Sequence, residues 1–301
     1  MSTTRVVATG LAVPEGPIAL HDGSLIVVEI LGGRLSRIEP DGSTHLVAHT
    51  GGGPNGAAPG PNKSIYVCNN GGSAWIERDG LRVPIAEAPP DARPGSIQRV
   101  DPRTGAVTTL YTEVDGNPLR APNDLVFDAH GGFWFTDYGK VHARTRDRGA
   151  VCYARAVGSA ITEVISPLDS PNGIGLSPDE RFLYVAETYT GNILRFGIDT
   201  PGCVLPATET LLARAAAGRY PDSLAVDGAG NVCVATAGSG GIMVIAADGS
   251  TVEYIEVPDP LTSNICFGGA DLCTAYVTCG LAGSVLALRW PRPGKALHHA
   301  Y

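Results

Sequence analysis

The chain contains one short structural unit six times, and an internal repeat constrains a fold more than any other sequence feature. Each unit has a polar, usually proline-led turn, an apolar strand, a Gly or Asp turn and a second apolar strand. Residues 122–127 and 132–137 show the pattern in full. One position recurs in all six units, directly after the proline or, in the last unit, after Ser263. The residues at this position are Glu15, Asn55, Asn123, Asn172, Asp222 and Asn264.

The spacing of these six residues matches the blades of a β-propeller. They lie 40, 68, 49, 50 and 42 residues apart, and a four-stranded propeller blade takes about 40 to 50 residues. The long interval contains a Pro- and Ala-rich insertion, residues 73–95, which we interpret as a lid over the site or an oligomer contact. Only residues 211–217 form a short helix-like run. The pattern predicts an all-β, six-bladed propeller with four-stranded blades and one domain over residues 1–301.

The two ends of the sequence fit a closed ring of blades. The sixth unit has three clear strands, the last at residues 284–290, and residues 5–8 form a strand-like run before the first unit. We expect this N-terminal strand to complete the last blade, which leaves no long unprotected sheet edge. The competing architecture, a pair of β-sandwiches, needs a central linker, and none is evident.

Composition excludes several classes of function. A formal net charge of −8 argues against nucleic acid and anionic membrane surfaces as partners. The sequence has no apolar run of membrane-spanning length and no signal-peptide pattern. Seven scattered cysteines without a CxxC motif indicate reduced thiols rather than disulfides or a zinc cluster. We expect a cytoplasmic monomer or small homo-oligomer that binds a small molecule.

The six repeated positions have the chemistry of a metal site. The inner strands of a propeller line its central channel, so equivalent positions form a ring around one end of that channel. Two members of the ring are carboxylates, four are carboxamides and none is Lys or Arg. Buried carboxylates are costly unless they are paired or bind a metal, and oxygen ligands suit Ca²⁺, Mg²⁺ or Mn²⁺. A simple turn explains any single copy, but six copies with acids only at Glu15 and Asp222 indicate a site.

Five motifs in a fixed order resemble those of one enzyme family. They occupy residues 14–17, 121–128 with 131–137, 170–174, 184–188 and 221–227. The chain resembles the SMP-30/gluconolactonase/luciferin-regenerating-enzyme family over nearly its whole length. The resemblance implies a six-bladed propeller with one catalytic divalent metal, Ca²⁺ first, with Zn²⁺, Mn²⁺ and Mg²⁺ as alternatives. By motif match, the implied ligands are Glu15, Asn172 and Asp222, with Asn123 as a fourth ligand or a substrate contact.

The family resemblance implies hydrolysis of a small lactone or ester. We expect the metal to polarise the carbonyl and activate water, with Asp222 as general base. Asn123 would help to stabilise the oxyanion, and Glu15 would balance charge as a ligand. The alternatives at the same metal are phosphotriester hydrolysis and isomerase or lyase chemistry. An alternative of another class is a non-catalytic binding propeller with a structural metal.

A departure from the family pattern bears on the substrate. Sugar-lactonase relatives often have an arginine two residues before the Asn of the third unit, where this chain has Ala121 and places Arg120 one step further back. This weakens the case for a polyhydroxylated aldonolactone and leaves a less polar lactone as an alternative. His142 is a candidate general acid or substrate contact, or else an ordinary exposed loop histidine. The predicted substrate contacts are Asn55, Arg120, Asp124, Tyr138, His142, Glu187 and Trp75.

Overall fold

The computed structural model describes residues 4–78, 81–85, 89 and 93–301. Six antiparallel sheets surround a central channel as a six-bladed β-propeller, which confirms the prediction from the repeats. The innermost strand of each blade packs against the innermost strands of both neighbouring blades, and the sixth returns to the first.

The strands of each blade follow one another from the channel outward. Blade 1 consists of Pro14–Ala19, Leu25–Glu29, Arg34–Ile38 and Thr44–His49. Blade 2 consists of Pro54–Pro59, Ile65–Asn69, Ser96–Val100 and Val107–Tyr111. Blade 3 consists of Pro122–Phe127, Gly132–Asp137, Gly149–Arg155 and Ile161–Leu168.

The second half of the chain repeats this arrangement. Blade 4 consists of Pro171–Leu176, Phe182–Glu187, Asn192–Thr200 and Thr210–Arg214. Blade 5 consists of Arg219–Val226, Val232–Gly238, Ile242–Ile245 and Val252–Ile255. Blade 6 consists of Thr262–Gly268, Thr274–Cys279, Ser284–Arg289 and the N-terminal strand Thr4–Ala8. Because Thr4–Ala8 pairs with Ser284–Arg289, the predicted closure of the ring is confirmed.

A few short elements lie outside the blades. The hairpin Ala74–Arg78 and Leu81–Ile85 falls between the second and third strands of blade 2, within the predicted insertion; residues 79–80, 86–88 and 90–92 of that insertion lie outside the described residues. A second hairpin pairs Glu113–Val114 with Asn117–Pro118, and Cys203–Val204 pairs with Asn192–Thr200. Pro61–Lys63 forms a 3₁₀ helix. In the part of the chain that the structure describes, no helix is long and apolar enough to cross a bilayer.

The helix-like interpretation of residues 211–217 is wrong. Their first part belongs to the strand Thr210–Arg214, which pairs with Asn192–Thr200 at the outer edge of blade 4. Leu and Ala favour helix in isolation, but this short run meets an open sheet edge, and pairing there overrides the propensity.

Six apolar clusters hold the ring together, one between each pair of neighbouring blades. Between blades 2 and 3, for example, Tyr66, Phe127 and Phe133 pack with ring centroids 5.0 to 5.6 Å apart. Second strands such as Leu25–Glu29 are buried along their whole length, because a blade packs on both sides. The core therefore surrounds the channel and leaves its end free for a site.

Each inner strand has an extra residue at the position marked by the repeat. In blade 4, Pro171 pairs with Glu187 and Ile174 with Val185, so three steps on one strand match two on its partner. The same register shift occurs at this position in the other five blades. A bulge of this kind bends the strand and redirects a side chain, and proline, which lacks an amide hydrogen, is tolerated beside it. The repeated turn in the sequence is therefore a repeated β-bulge.

Candidate metal centre and substrate cavity

The bulges bring five of the six repeated residues to one cavity of about 460 Å³. It opens at the end of the channel where the inner strands begin. The five are Glu15, Asn55, Asn123, Asn172 and Asp222. The cavity has an aromatic wall of Trp75, Tyr138, Tyr189 and Tyr220, and Ala121 also lines it. Of the predicted substrate contacts, Asn55, Tyr138 and Trp75 therefore lie where they can reach a ligand.

Glycines next to the ring allow neighbouring bulges to approach closely. A Cβ on Gly173 would lie 2.6 Å from the Asp222 carbonyl oxygen and 2.7 Å from the Leu224 nitrogen. A Cβ on Gly16, whose φ is +49°, would lie 2.6 Å from the Ala57 nitrogen. Since a side chain there would separate adjacent blades, the Pro-x-Gly pattern reflects close packing of the backbone around the site.

Three oxygens of the ring are buried without a hydrogen-bond partner among the described residues: Glu15 Oε1, Asn123 Oδ1 and Asn172 Oδ1. An unsatisfied buried polar group costs about 1 to 3 kcal/mol. The Asn172 amide is oriented by its nitrogen, which donates to Thr188 Oγ1 at 3.1 Å, while Thr188 donates to the Pro221 carbonyl at 2.8 Å. This chain of contacts leaves the Asn172 oxygen free to bind a cation.

The electrostatics of the site favour a bound cation. Burial, reinforced by the charges of Asp222 and Asp124, holds the pKa of Glu15 well above its usual value. Burial also raises the pKa of Asp222 to about 7, with the charge of Asp124 acting in the same direction and a hydrogen bond from Asn172 opposing it. Burial raises the pKa of Asp124 to about 7 as well. The charge of Asp124 thus adds to burial in disfavouring the ionised forms of Glu15 and Asp222, and a divalent cation held by these two groups would stabilise those forms.

The donor set suits a hard cation. The described residues contain no group of three or more His, Cys, Asp or Glu side chains arranged to hold a metal, so a site here depends on amide oxygens as well as carboxylates. Glu15, Asn123, Asn172 and Asp222 offer two carboxylates and two carboxamides. Oxygen-only coordination of this type is typical of Ca²⁺, whereas zinc prefers His and Cys. The residues present therefore fit the predicted divalent metal.

Asn264, the sixth member of the ring, does not line this cavity and instead hydrogen-bonds to Glu15. Its amide nitrogen donates to Glu15 Oε2 at 2.6 Å, and its oxygen accepts from the Ile265 amide at 2.7 Å. Both of its polar atoms are used. Asp124, one residue beyond the ring, lines a separate cavity of about 80 Å³ further along the channel, so the structure does not place it with the predicted substrate contacts.

Arg120 and His142 also lie outside the lining of the main cavity. The Arg120 guanidinium pairs with Asp147 Oδ1 at 2.7 Å and His142 Nε2 lies 3.3 Å from the same oxygen. Their side chains are 52% and 49% exposed. Both predicted substrate contacts are therefore side chains of a surface ion cluster in the loop region above blade 3.

Glu187 belongs to a repeated structural contact and not to the cavity wall. Its Oε1 accepts from the Asp169 amide at 2.7 Å, and its Oε2 accepts from Thr190 and Asn192. Glu29 and Asp137, which end the equivalent strands of blades 1 and 3, accept in the same way from the amides of Ala12 and Ala121. These side chains fix the segments that lead into the bulges. The structure gives Glu187 these contacts and does not bring it to the cavity lining, and its role as a substrate contact stays a prediction.

The sequence predictions missed several residues of the cavity. Asn70, Lys140, Thr188, Tyr189, Tyr220 and Ser263 line it. Asn70, Thr188 and Tyr189 directly follow the second strands of their blades, as Tyr138 does. A second repeated position, one or two residues after the second strands of blades 2, 3 and 4, could therefore have predicted these cavity residues. Lys140 and Tyr220 carry no comparable repeat signal.

Comparison with known proteins finds lactonases among the relatives of this chain. The chain is 27% identical over 286 residues to a gluconolactonase of Zymomonas mobilis, an alignment covering 88% of this chain and 75% of the relative. It is 26% identical over 279 residues to a pentonolactonase of Haloferax volcanii, covering 92% and 85%.

Solved structures share the fold. A gluconolactonase from Xanthomonas campestris superposes with a TM-score of 0.77 at 22% identity, covering 96% of this chain and 90% of that one. The calcium-binding protein regucalcin from Agrobacterium tumefaciens gives 0.75 at 17% identity, covering 98% of both chains. Residues 13–280 match the family model described as the SMP-30/gluconolactonase/LRE-like region. Because that match covers most of the sequence, the chain belongs to the SMP-30/gluconolactonase/LRE-like family.

Proposed function

We propose that this protein is a metal-dependent hydrolase that opens a small lactone. The observation that carries the proposal is the group of orphaned oxygens on Glu15, Asn123 and Asn172 beside the Asp222 carboxylate. A cation would satisfy these oxygens, and the residues that carry them line a cavity large enough for a small ring. The gluconolactonase and pentonolactonase relatives support a lactone as substrate.

The four ring residues Glu15, Asn123, Asn172 and Asp222 would hold the cation, with Ca²⁺ preferred for an all-oxygen set. When bound, the cation would supply Lewis-acid polarisation of the ester carbonyl. Glu15 is buried and held by Asn264 and Gly16, so it would contribute charge and a fixed oxygen.

Asp222 is the proposed general base. Both Asp222 and Glu15 line the cavity, but Asp222 is the less buried residue of the two. Its carboxylate would take a proton from water as the water oxygen bonds to the carbonyl carbon, and would return it to the ring oxygen as the carbon–oxygen bond breaks. The product is a hydroxy acid. The amide of Asn123 would hydrogen-bond the negative oxygen formed between these steps.

The cavity wall provides the substrate contacts. Tyr138 and Tyr189 pack edge to face with centroids 6.2 Å apart, and the Arg146 guanidinium lies 4.6 Å from the Tyr189 ring centroid. This fixed aromatic surface would cover one face of a lactone ring. We propose Asn55 and Trp75 as contacts on the other side, with the hairpin that carries Trp75 acting as a lid.

A chelation experiment tests the proposal. The protein is treated with EGTA, Ca²⁺, Mn²⁺, Mg²⁺ or Zn²⁺ is restored singly, and proton release is followed on γ-, δ- and aromatic lactones. We expect activity to disappear with chelation and to return with Ca²⁺. Activity that survives removal of all divalent metal would contradict a catalytic metal. Hydrolysis of phosphotriesters but no lactone would replace the substrate class, and metal binding without turnover would favour a binding propeller.

A further inference from the structure

Lys140 is the only cation among the described residues that line the main cavity. It follows the second strand of blade 3, and its side chain crosses to the loop after the second strand of blade 2. There its Nζ donates to the carbonyl oxygens of Asn70 at 2.6 Å and Gly72 at 3.2 Å. An ammonium group has three N–H donors, so one remains for a ligand.

Lys140 forms no ion pair with a carboxylate within the part of the chain that the structure describes. The neighbouring cations are neutralised: Arg120 pairs with Asp147, and Arg146 pairs with Asp169. Burial lowers the pKa of Lys140, and the more distant Asp137 and Asp147 act in the opposite direction. A half-buried ammonium that contacts only neutral carbonyls is costly, and an anionic ligand would remove that cost.

We propose that Lys140 is a specificity-determining residue that selects lactones bearing a carboxylate remote from the ester group. This inference rests on the proposed function and names the substrate class within it. The ester carbonyl would lie at the candidate metal centre of Glu15, Asn123, Asn172 and Asp222. The carboxylate would accept a charge-assisted hydrogen bond from Lys140 Nζ. A hydroxyl group alone would leave the ammonium charge uncompensated. Lys140 thereby supplies a cation to the cavity, whereas the position of Ala121, where sugar-lactonase relatives often have an arginine, does not.

Matched substrates separate charge recognition from general binding. The substrate panel consists of γ-butyrolactones that bear a carboxylate either on the ring or at the end of a short side chain. Each of these is compared with the lactone in which an uncharged carboxamide replaces the carboxylate. Because an ionic hydrogen bond contributes about 1.5 to 3 kcal/mol, we expect Lys140→Met to lower kcat/KM for the best carboxylate by about 10- to 100-fold. The carboxamide should change less than threefold, and Lys140→Arg should retain the carboxylate preference.

Two further variants isolate the charge. Lys140→Gln keeps an N–H donor for the Asn70 and Gly72 carbonyls without the charge, and it should lose the carboxylate preference as Lys140→Met does. Lys63→Met removes a lysine that lies over Tyr301, away from the cavity, and should leave the preference intact. Equal losses on carboxylate and carboxamide in every Lys140 variant would show that Lys140 only braces the loop, which overturns the inference.

A binding measurement distinguishes failure of this inference from failure of the proposed function. Calorimetric titration of the calcium-loaded protein with glutarate needs no turnover. We expect Lys140→Met and Lys140→Gln to weaken glutarate binding by at least about tenfold. If no lactone is opened but this loss is seen, the proposed function fails, whereas the binding of a ligand carboxylate by Lys140 stands. If neutral lactones are opened and glutarate binding is unchanged in the variants, the role of Lys140 fails.

Discussion

Asn264 of the last blade donates a hydrogen bond of 2.6 Å to Glu15 of the first blade. The contact occupies Glu15 Oε2 and leaves Oε1 as the orphaned oxygen of the candidate metal centre. It also joins the first blade to the last blade, in which the N-terminal strand closes the ring. The geometry of the site is thus tied to the closure of the fold, and the sixth repeated residue acts by positioning the first.

This contact leads to a prediction for Asn264→Ala. The variant should bind Ca²⁺ about 10- to 100-fold more weakly, because partners that orient a metal ligand contribute on that scale. Calcium titration by calorimetry provides the measurement. Asn117→Ala, in an exposed hairpin, is the control and should bind as the wild type does. Unchanged calcium affinity in Asn264→Ala would show that Glu15 is held without this bond.

Asp222→Asn should separate metal binding from turnover. The amide keeps an oxygen ligand but cannot accept the proton, so we expect kcat on the best lactone to fall by about 100-fold or more. Asp41→Asn, at the exposed turn of blade 1, controls for the loss of one negative charge. A variant that still binds Ca²⁺ and turns over normally would remove Asp222 from the role of base.

Gly173→Ala should be destabilising, because its new Cβ would lie 2.6 Å from the Asp222 carbonyl oxygen. Overpacking of this kind costs about 1 to 3 kcal/mol, and here it would also displace the blade that carries Asp222. Urea unfolding measures the free energy of unfolding, and calcium titration measures the effect on the site. Gly228→Ala is the matched control, since its nearest neighbour would lie 3.2 Å away. Equal stability of the two variants would contradict the close packing described here.

The free energy of unfolding should depend on pH through the carboxyl group of Glu29. Burial tends to raise its pKa, but hydrogen bonds from Arg34, Ser36 and Ala12 outweigh burial and hold the pKa below its usual value of 4.5. The ionised form is therefore stabilised in the folded state. Its contribution is present above the unfolded pKa and is lost as the pH falls through the lower folded pKa.

Glu29→Gln should accordingly lower the free energy of unfolding at pH 7 by about 1.5 to 3 kcal/mol, since bonds to a charged acceptor are lost. The difference from the wild type should shrink at pH 3. Urea unfolding at the two pH values checks this expectation. A deficit of the same size at both would mean that the charge of Glu29 does not provide the stabilisation.

The sequence predicted the ring of blades and most of the candidate site because both follow from the repeat. One bulge in each inner strand places Glu15, Asn123, Asn172 and Asp222 at one end of the channel, and these residues are visible at fixed intervals. The N-terminal strand was likewise predictable, because the last unit lacked its fourth strand.

Other residues were placed less well because their positions depend on contacts between loops and strands distant in sequence. Glu187 accepts hydrogen bonds from the Asp169 amide and from the Thr190 and Asn192 side chains, and only comparison with Glu29 and Asp137 reveals this supporting role. The side chain of Lys140 is held at the cavity by hydrogen bonds to the carbonyl oxygens of Asn70 and Gly72, which lie 70 and 68 residues away in the sequence. Asp124 directly follows the ring residue Asn123, but it lies further along the inner strand and lines the smaller, separate cavity.

The proposed function depends on a divalent cation that binds between Glu15, Asn123, Asn172 and Asp222. A crystal structure of the protein with Mn²⁺, with anomalous diffraction data, tests it most directly. We expect one strong anomalous peak within bonding distance of Glu15 Oε1, Asn123 Oδ1, Asn172 Oδ1 and the Asp222 carboxylate. A map in which these oxygens surround no peak, while manganese binds elsewhere or not at all, would contradict it.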